Sequence, residues 1–597
     1  MKKPTTIHPL ETPWSDQALT DCPLSEYPRP QLVRDNWTCL NGMWQYTIRP
    51  DKAFPNKWDG DIRVPYSPET LLSGVQRTVQ ITDTLWHKRT FTLKKPENGR
   101  HVLLHFGAVD QLCKVWVNDK VAGRHDGGYH PFTLDITEFV KDGENELIVR
   151  VRDLCDTGDE AYSKQRIDRG GIWYTGQSGI WQTVWLEETP ACYIDHLRIS
   201  PRCRHSEVKV TVSTIGGNIP CHGRVLKDGM VISEAEAVDG ILHIPMTDYH
   251  MWSPDDPFLY DLEVTAGEDT VRSYFGMRIF GFKREKHGRK ILTLNGKPIF
   301  HHGLLDQGYW SDGLYTPPSD EAMIWEIKRL KELGFNMLRK HIKIEPLRWY
   351  YHCDRLGMLV WQDFPSGGGP YHPLIIQVLP WLGFMVKDKR YKLFGRKNDK
   401  GRANCQRDAK RTVELLYNCV SLCCWVPFNE GWGQFDAKAM ADFVRTMDHS
   451  RYIDHASGWH DQGAGNFQSS HIYYKSFKPK PDKNDRVMAL TEYGGYSLSC
   501  PGHMSSDELF GYKGFQTRDE LNQAVESLYD REVIPAIEHG LAADVYTQVS
   551  DVEDEINGLF TYDRHVVKLD DETGKRIATK IKRAFEETQE KFEASKG

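Results

Sequence analysis

At 597 residues the chain exceeds what one hydrophobic core organises, and about 150 residues per domain suggests three or four domains, fewer if one is a barrel. Its formal charge of −7, from 83 acidic against 76 basic residues, supplies no basic field for nucleic acid or an anionic membrane. No run of about 18 apolar residues follows the short Met1-Lys-Lys-Pro terminus, which has no apolar stretch of signal-peptide length, so a soluble, cytoplasmic protein is expected.

The 13 cysteines are odd in number and scattered, with Cys423 and Cys424 adjacent inside an apolar run, which predicts reduced buried thiols rather than a disulfide framework. No CxxC pair or HxxxH motif points to zinc, and neither metal nor cofactor is expected. Aromatic residues form 11 % of the chain, with 18 Trp, and aromatic faces stack on the apolar faces of sugar rings, so a small, uncharged ligand fits better than a polyanion. Homo-oligomerisation is left open.

In chain order, residues 1–190 read as one β domain. Met43–Ile48, Leu85–Leu93, Val102–Phe106, Cys113–Val117 and Leu147–Val151 alternate with period two, and Asn118-Asp, Asp126-Gly-Gly and Asp142-Gly mark turns, which describes an antiparallel sandwich. Residues 191–285 continue with Val208–Val212, Gly223–Leu226, Leu242–Ile244, Leu259–Val264 and Val271–Phe275, the regular spacing of an immunoglobulin-like sandwich that would hold the first domain against the third.

From 286 to 597 the pattern changes to short buried strands alternating with helices. Strands are predicted near 298–303, 336–341, 358–363, 421–429, 452–456, 469–474, 487–492 and 543–548, the eight that a (β/α)₈ TIM barrel requires. One helix starts after Pro317-Pro-Ser319, carries Ile324, Ile327, Leu330 and Leu333 on one face and stops at Gly334; a terminal helix over 574–594 turns Ile577, Ile581 and Phe585 inward. Between the third and fourth strands a long aromatic, basic and glycine-flanked insertion, 366–405, is read as a loop lining the barrel mouth.

The chemistry is expected where the strands end. Leu422–Val426 is apolar on both faces, as a covered parallel strand must be, and polar groups begin at Asn429-Glu430. Val487–Leu490 likewise runs into Thr491-Glu492, and glycines at 494 and 495 let the chain turn. Two carboxylates at the carboxyl ends of barrel strands, 492 − 430 = 62 residues apart with room for two strand-and-helix units between, suggest glycoside hydrolysis. That reaction needs one carboxyl kept protonated for the leaving oxygen and one ionised to attack the anomeric carbon. Sugar hydroxyls need further convergent donors and acceptors. The candidates at strand ends are Asp306, Arg339, His341, Trp361, Asp363, His471, Tyr473, Tyr474, Tyr546 and Gln548, with Trp432 after the first glutamate.

Trp425-Val-Pro-Phe-Asn429-Glu430-Gly-Trp-Gly-Gln434 resembles the acid/base signature of glycoside hydrolase family 2, which contains β-galactosidases, β-glucuronidases and β-mannosidases, and Leu490-Thr-Glu492-Tyr-Gly-Gly495 resembles its nucleophile signature. Gly107–Asn118, Gly127–Phe132 and Ser178–Trp185 resemble the family's jelly-roll sugar-binding domain. The resemblance implies a retaining exo-β-glycosidase with Glu430 as acid/base, Glu492 as nucleophile, Asn429 bonding the sugar 2-hydroxyl, and a glycoside as substrate. Two departures stand out. Trp173, Tyr174, Thr175 and Gln177 precede Ser178-Gly-Ile where β-galactosidases have an aspartate, and Tyr546 or Gln548 stands where much of the family has a Trp. Glu555-Ile-Asn557 precedes Gly558-Leu-Phe-Thr where β-glucuronidases have Asn-x-Lys, which ranks a neutral sugar, β-galactoside first, above a uronide; β-mannosidase, α-L-arabinofuranosidase and β-galacturonidase follow. The rival of another class is a non-catalytic carbohydrate-binding protein on an inert barrel.

Overall fold

The computed structural model describes residues 7–284, 289–480 and 482–594; the expected boundary at 285/286 and the first six residues lie outside them. The first β unit is a jelly-roll sandwich. A six-stranded sheet in the order Gly60–Val64, Gly42–Arg49, Thr84–Leu93, Gly143–Arg152, Leu112–Val117 and Lys120–Asp126 faces a four-stranded sheet built from Trp37–Cys39, Val184–Thr189, His101–Phe106 and Phe132–Asp135. Alternation does the work here: Val115, Val117, Leu147, Val149 and Val151 turn inward to meet Leu104, Phe106 and Leu186 from the opposing sheet. The second unit packs a three-stranded sheet (Tyr193–Arg202, Glu207–Ile215, Ile241–Pro245) on a four-stranded one (Met230–Glu236, Cys221–Lys227, Tyr260–Ala266, Asp269–Phe275), the seven strands of an immunoglobulin-like sandwich.

The third unit is a parallel barrel of strands β1 (His301–Asp306), β2 (Met337–Lys340), β3 (Leu359–Asp363), β4 (Leu422–Val426), β5 (Tyr452–Ile453), β6 (Phe467–Ile472), β7 (Val487–Gly494) and β8 (Leu541–Thr547). They pair in the order β5-β4-β3-β2-β1-β8-β7-β6, which leaves one seam, between β5 and β6. Asn466 stitches that seam: its N–H donates to the Ile453 carbonyl at 2.7 Å and its side-chain oxygen accepts from the Ile453 N–H at 2.8 Å. Inside the barrel Leu305, Met337, Leu359, Trp361, Phe467, Val487 and Val545 form a packed plug, so the accessible space lies above it, at the carboxyl ends.

Three expectations are corrected. β1 begins at His301 rather than 298, because Lys297–Pro298 pairs antiparallel with Lys290–Leu294. The segment between the two glutamates holds one helix among the described residues, Ala437–Met447, and not two; after β5 and after β6 no helix lies among the described residues, where glycines at 458, 463 and 465 and the Lys478-Pro-Lys run favour irregular chain. The terminal helix begins at Asp571, three residues earlier than predicted. It packs so closely on the first barrel helix, Asp320–Glu332, that a Cβ on Gly334 (φ +99°) would stand 2.4 Å from Ala578 Cβ, which explains why glycine ends that helix.

The amino-terminal segment straps the units together. Arg34 holds Asp269 with two donors at 2.7 and 3.0 Å and Glu187 at 2.8 Å, Arg29 holds Glu187 at 3.0 Å, and Asp312 of the barrel accepts from Thr12 and Ser15 at 2.7 and 2.6 Å. All 13 cysteines are free, and no helix among the described residues is long and apolar enough to cross a membrane.

Candidate active site

β4 and β7 deliver the two glutamates. Beyond Val426 the chain leaves the sheet, and Glu430 adopts a left-handed backbone (φ +49°), a conformation that costs a non-glycine residue about 1–3 kcal/mol. It is held there by a bond from its N–H to the Ser457 carbonyl at 3.0 Å, which turns the carboxyl into the mouth. Gly431 and Gly433 continue the turn, and Gly433 approaches the Gly367 carbonyl so closely that a Cβ would lie 2.1 Å from it. Glu492 needs no such device, because β7 runs through it.

The two carboxyl groups meet at His471, from the end of β6. Its Nδ1 stands 2.8 Å from Glu430 Oε1 and 3.3 Å from Glu492 Oε2, while Nε2 faces Ser457 Oγ at 3.2 Å and an Arg339 amine at 3.4 Å. Burial pushes the imidazole down to about 4, so it is neutral near pH 7. The neutral ring thus bridges the two glutamates through Nδ1 and rests on Ser457 and Arg339 through Nε2. One carboxylate oxygen from each glutamate and one His471 nitrogen all lie within 4.8 Å of one another, and this is the one cluster among the described residues with the donors and spacing for a metal ion.

Arg339 lies behind this group with no exposed surface. It forks onto Asp363 at 2.9 and 3.0 Å and donates to Glu492 Oε1 at 3.1 Å, the Thr491 carbonyl at 3.0 Å and Asn429 Oδ1 at 2.7 Å. Expected as a substrate contact, it instead spends its guanidinium on positioning protein groups. Because Asn429 turns its oxygen to Arg339, its amide nitrogen is left buried and without a partner among the described residues, a donor with capacity for a ligand oxygen. Tyr473 donates to Glu492 Oε2 at 2.7 Å and stacks on Tyr512 at 3.9 Å. His341, kept neutral by burial, is anchored to Asp363 at 3.0 Å and meets Trp432 edge-on.

The electrostatics separate the glutamates only in degree. Burial raises both carboxyl groups; Glu430 reaches about 7, lowered less by Lys164 and Arg339 than desolvation lifts it. For Glu492, His471, Arg339 and the Tyr473 hydroxyl oppose burial and the field of Glu430. The tug on Glu492 is thus more evenly balanced.

Four expected residues lie elsewhere. Asp306 is bonded to Lys340 Nζ at 2.6 Å, itself held by Glu345 at 2.8 Å: Leu305 takes the barrel-interior face of β1, so Asp306 must face the helices. Tyr546 follows the inward Val545 and packs outward on Tyr493 and Tyr529. Trp361 belongs to the interior plug, and Tyr474 is exposed against Trp381.

Glu555 and Asn557, read in the sequence as a departure from the β-glucuronidase Asn-x-Lys pattern, form a network with the candidate Gln548. Glu555 accepts from the Tyr174 hydroxyl and from Asn557 Nδ2 at 2.9 Å, and Asn557 continues through Gln548 to Gln307. The jelly roll itself reaches in. Tyr162 and Ser163 N–H groups bond the Ser366 carbonyl, Arg169 pairs with Asp554 at 2.8 Å, and Trp173 packs on Trp432 with ring centres 4.9 Å apart. Lys164, between these contacts, presents a buried ammonium to the glutamates. The insertion after β3 borders the same mouth, with Tyr371 beside Trp173 and Phe394 against His460. Trp173 and Tyr174 had been noticed only as a departure from a motif, and Lys164 carries no motif at all.

A jelly roll, an immunoglobulin-like sandwich and a TIM barrel in this order, with two buried glutamates at strand ends, define a recognised multidomain class. Family models match in the same three pieces: the glycosyl hydrolases family 2 sugar binding domain over 38–190, the glycosyl hydrolases family 2 model over 192–278, and the family's TIM barrel domain over 286–579. The chain belongs to glycoside hydrolase family 2. A putative β-glucuronidase of Formosa agariphila is 28 % identical over 300 residues, covering 47 % of this chain and 35 % of that protein. A β-galactosidase of Thermoanaerobacter pseudethanolicus is 27 % identical over 353 residues, 55 % and 46 % of the two chains. The chain therefore spans about a third to a half of the length of these relatives. Among solved structures, the β-D-glucuronidase of Dictyoglomus thermophilum superposes with a TM-score of 0.72 at 17 % identity over 92 % of this chain and 98 % of that one, and a Ruminococcus gnavus β-glucuronidase with 0.72 at 16 % over 93 % and 98 %. Likeness at those identities is likeness of fold.

Proposed function

We propose that the protein is a retaining exo-β-glycosidase that removes a terminal β-linked sugar by double displacement. The observation that carries the reading is the approach of the two carboxyl groups around His471, with oxygens inside 4.8 Å. Retaining enzymes hold their carboxyls about 5–5.5 Å apart, whereas inverting ones leave roughly 6.5–9.5 Å for a water. Glu430, protonated near neutrality, gives its proton to the departing oxygen while Glu492 attacks the anomeric carbon. Glu430, now ionised, takes a proton from the water that releases the sugar. Arg339 and Tyr473 hold Glu492 as nucleophile and stabilise it again as leaving group, and the Asn429 amide donates to the 2-hydroxyl.

For the sugar, the first reading is a neutral, β-galactoside-like ring: Glu555 turns a carboxylate toward the region where a uronate would need a cation. A β-glucuronide is the second reading, supported by the name of the Formosa relative and by the ammonium of Lys164 near the glutamates. The test is turnover of a panel of nitrophenyl β-glycosides followed by inactivation with the matching 2-deoxy-2-fluoro glycoside. A mass increase of one glycosyl unit on the Glu492 peptide supports double displacement. A first-formed α-anomer overturns retention, and sugar binding without turnover of any glycoside makes the barrel a binding module.

A further inference from the structure

Lys164 is a buried cation held differently from the buried lysines of the barrel. Other buried lysines of the barrel have anionic partners: Lys340 holds Asp306 and Glu345 at 2.6 and 2.8 Å, Lys343 holds Glu345 at 2.8 Å, and Lys568 holds Asp551 at 2.6 Å. Lys164 is only 5 % exposed, yet its ammonium makes no hydrogen bond and no ion pair among the described residues. Aromatic faces surround it instead, with ring centres of Trp432 at 4.9 Å and of Trp173 and Tyr174 at 5.5 Å. The carboxylates that act on it electrostatically are Glu555, Glu492 and Glu430, all groups of the candidate active site. A buried ammonium with three donors and none satisfied is costly unless a ligand completes it.

The opposing group is Glu555. Its two oxygens each accept one bond, from Tyr174 and Asn557, and a carboxylate offers about four acceptor positions, so it retains capacity. The residues between them come from two units: Lys164 and Tyr174 from the jelly roll, Glu555 and Asn557 from the loop after β8.

We propose that Lys164 and Glu555 form a donor–acceptor clamp on hydroxyl groups of the bound sugar, and that this clamp selects a neutral sugar over a uronic acid. The inference rests on the glycosidase reading given above. Charge decides between hydroxyl and carboxylate as the clamp's target. The Lys164 ammonium already acts on three carboxyl groups, Glu430, Glu492 and Glu555, and the other buried cation, Arg339, is bonded to Asp363 and Glu492, so a uronate would bring a further acid into a buried space whose cations are already matched. A hydroxyl satisfies both sides without adding charge, donating to Glu555 and accepting from Lys164. The three aromatic faces offer the ammonium no hydrogen-bond acceptor, which a ring hydroxyl would supply.

The experiment compares the full-length wild type with Lys164→Met, Lys164→Arg and Glu555→Gln on nitrophenyl β-glycosides: neutral hexosides and pentosides, their uronide counterparts, and monodeoxy analogues of the best neutral substrate. Wild type should prefer the neutral ring. Lys164→Met should lower kcat/KM on it roughly 10- to 150-fold, the range of a charge-assisted hydrogen bond, with Lys164→Arg recovering part of the loss. One monodeoxy analogue should be turned over alike by wild type and Lys164→Met, because the hydroxyl that needs the lysine is absent. A wild-type preference for the uronide that Lys164→Met abolishes would overturn the clamp and make Lys164 a carboxylate holder. Unchanged kcat/KM in Lys164→Met and Glu555→Gln would also overturn it. Labelling of Glu492 by a 2-deoxy-2-fluoro glycoside, measured in the same proteins, keeps the two readings apart: labelling with no clamp effect removes only the clamp, whereas no labelling and no turnover in any protein removes the glycosidase reading and the clamp together.

Discussion

Nδ1 of His471 stands 2.8 Å from Oε1 of Glu430 and 3.3 Å from Oε2 of Glu492, so one neutral imidazole nitrogen bridges the two carboxyl groups. In the reading proposed above, the acid/base carboxyl of Glu430 is thus held by a neutral imidazole on one oxygen, with the other left to exchange a proton with the substrate.

This arrangement sets the pH profile. Glu430 must be protonated to act as acid, and burial pushes it up to about 7, so kcat/KM should fall as pH rises through about 7. Glu492 must be ionised to attack, and burial raises it above its ordinary value, so activity should also fall on the acid side, below the pKa of Glu492. A bell with its alkaline limb near 7 is expected; activity constant from pH 6 to 9 would contradict the environment assigned to Glu430.

Tyr473→Phe removes the hydroxyl that donates to Glu492 at 2.7 Å. A hydrogen bond to a charged group is worth about 1.5–3 kcal/mol, so kcat should drop roughly 10- to 150-fold while the fold, read by thermal midpoint, changes little. A kcat within twofold of wild type would make Tyr473 a bystander.

The first domain is part of the site, since Lys164, Trp173 and Tyr174 reach Trp432 and Glu555. Residues 286–597 expressed alone should be insoluble or inactive. Full activity from that fragment would show the β domains to be appendages.

Arg34 ties Glu187 of the jelly roll to Asp269 of the second sandwich, and is 5 % exposed. Breaking a buried pair costs about 3–5 kcal/mol, so Arg34→Met should lower the thermal midpoint by roughly 6–20 °C for units of this size. Burial alone would raise the Glu187 carboxyl, but Arg29, His105 and Arg34 together hold it well below its ordinary value. A carboxyl with a depressed folded-state pKa stabilises fully above its unfolded value, about 4.3, and progressively less as pH falls below it. The Arg34→Met penalty should accordingly shrink under acid conditions, and a penalty independent of pH would contradict the ion-pair account.

How far the sequence was legible follows from the kind of signal each residue carries. Glu430 and Glu492 end apolar runs, and a buried parallel strand turning polar is visible as a pattern. The face of a strand-end residue is less visible: Asp306 and Tyr546 sit one residue past the inward Leu305 and Val545, and a one-residue shift in where β1 or β8 ends reverses the direction of every side chain. Arg339 was placed correctly at its strand end, but its role depends on partners from β3, β4 and β7, which no local pattern reports. Lys164 and Glu555 lie in loops from different units, 391 residues apart (555 − 164), and become neighbours of one site only through domain packing.

The measurement that bears most directly on the central claim is azide rescue of Glu430→Ala. Without the acid/base, an activated aryl glycoside should still transfer its sugar to Glu492, and release should then limit the rate because nothing activates the incoming water. Azide needs no base, so adding it should restore turnover and yield the β-glycosyl azide, the product of two inversions. If Glu430→Ala lost aryl and alkyl glycosides equally and azide changed nothing, or if the azide product were α, Glu430 would not be the acid/base of a retaining enzyme.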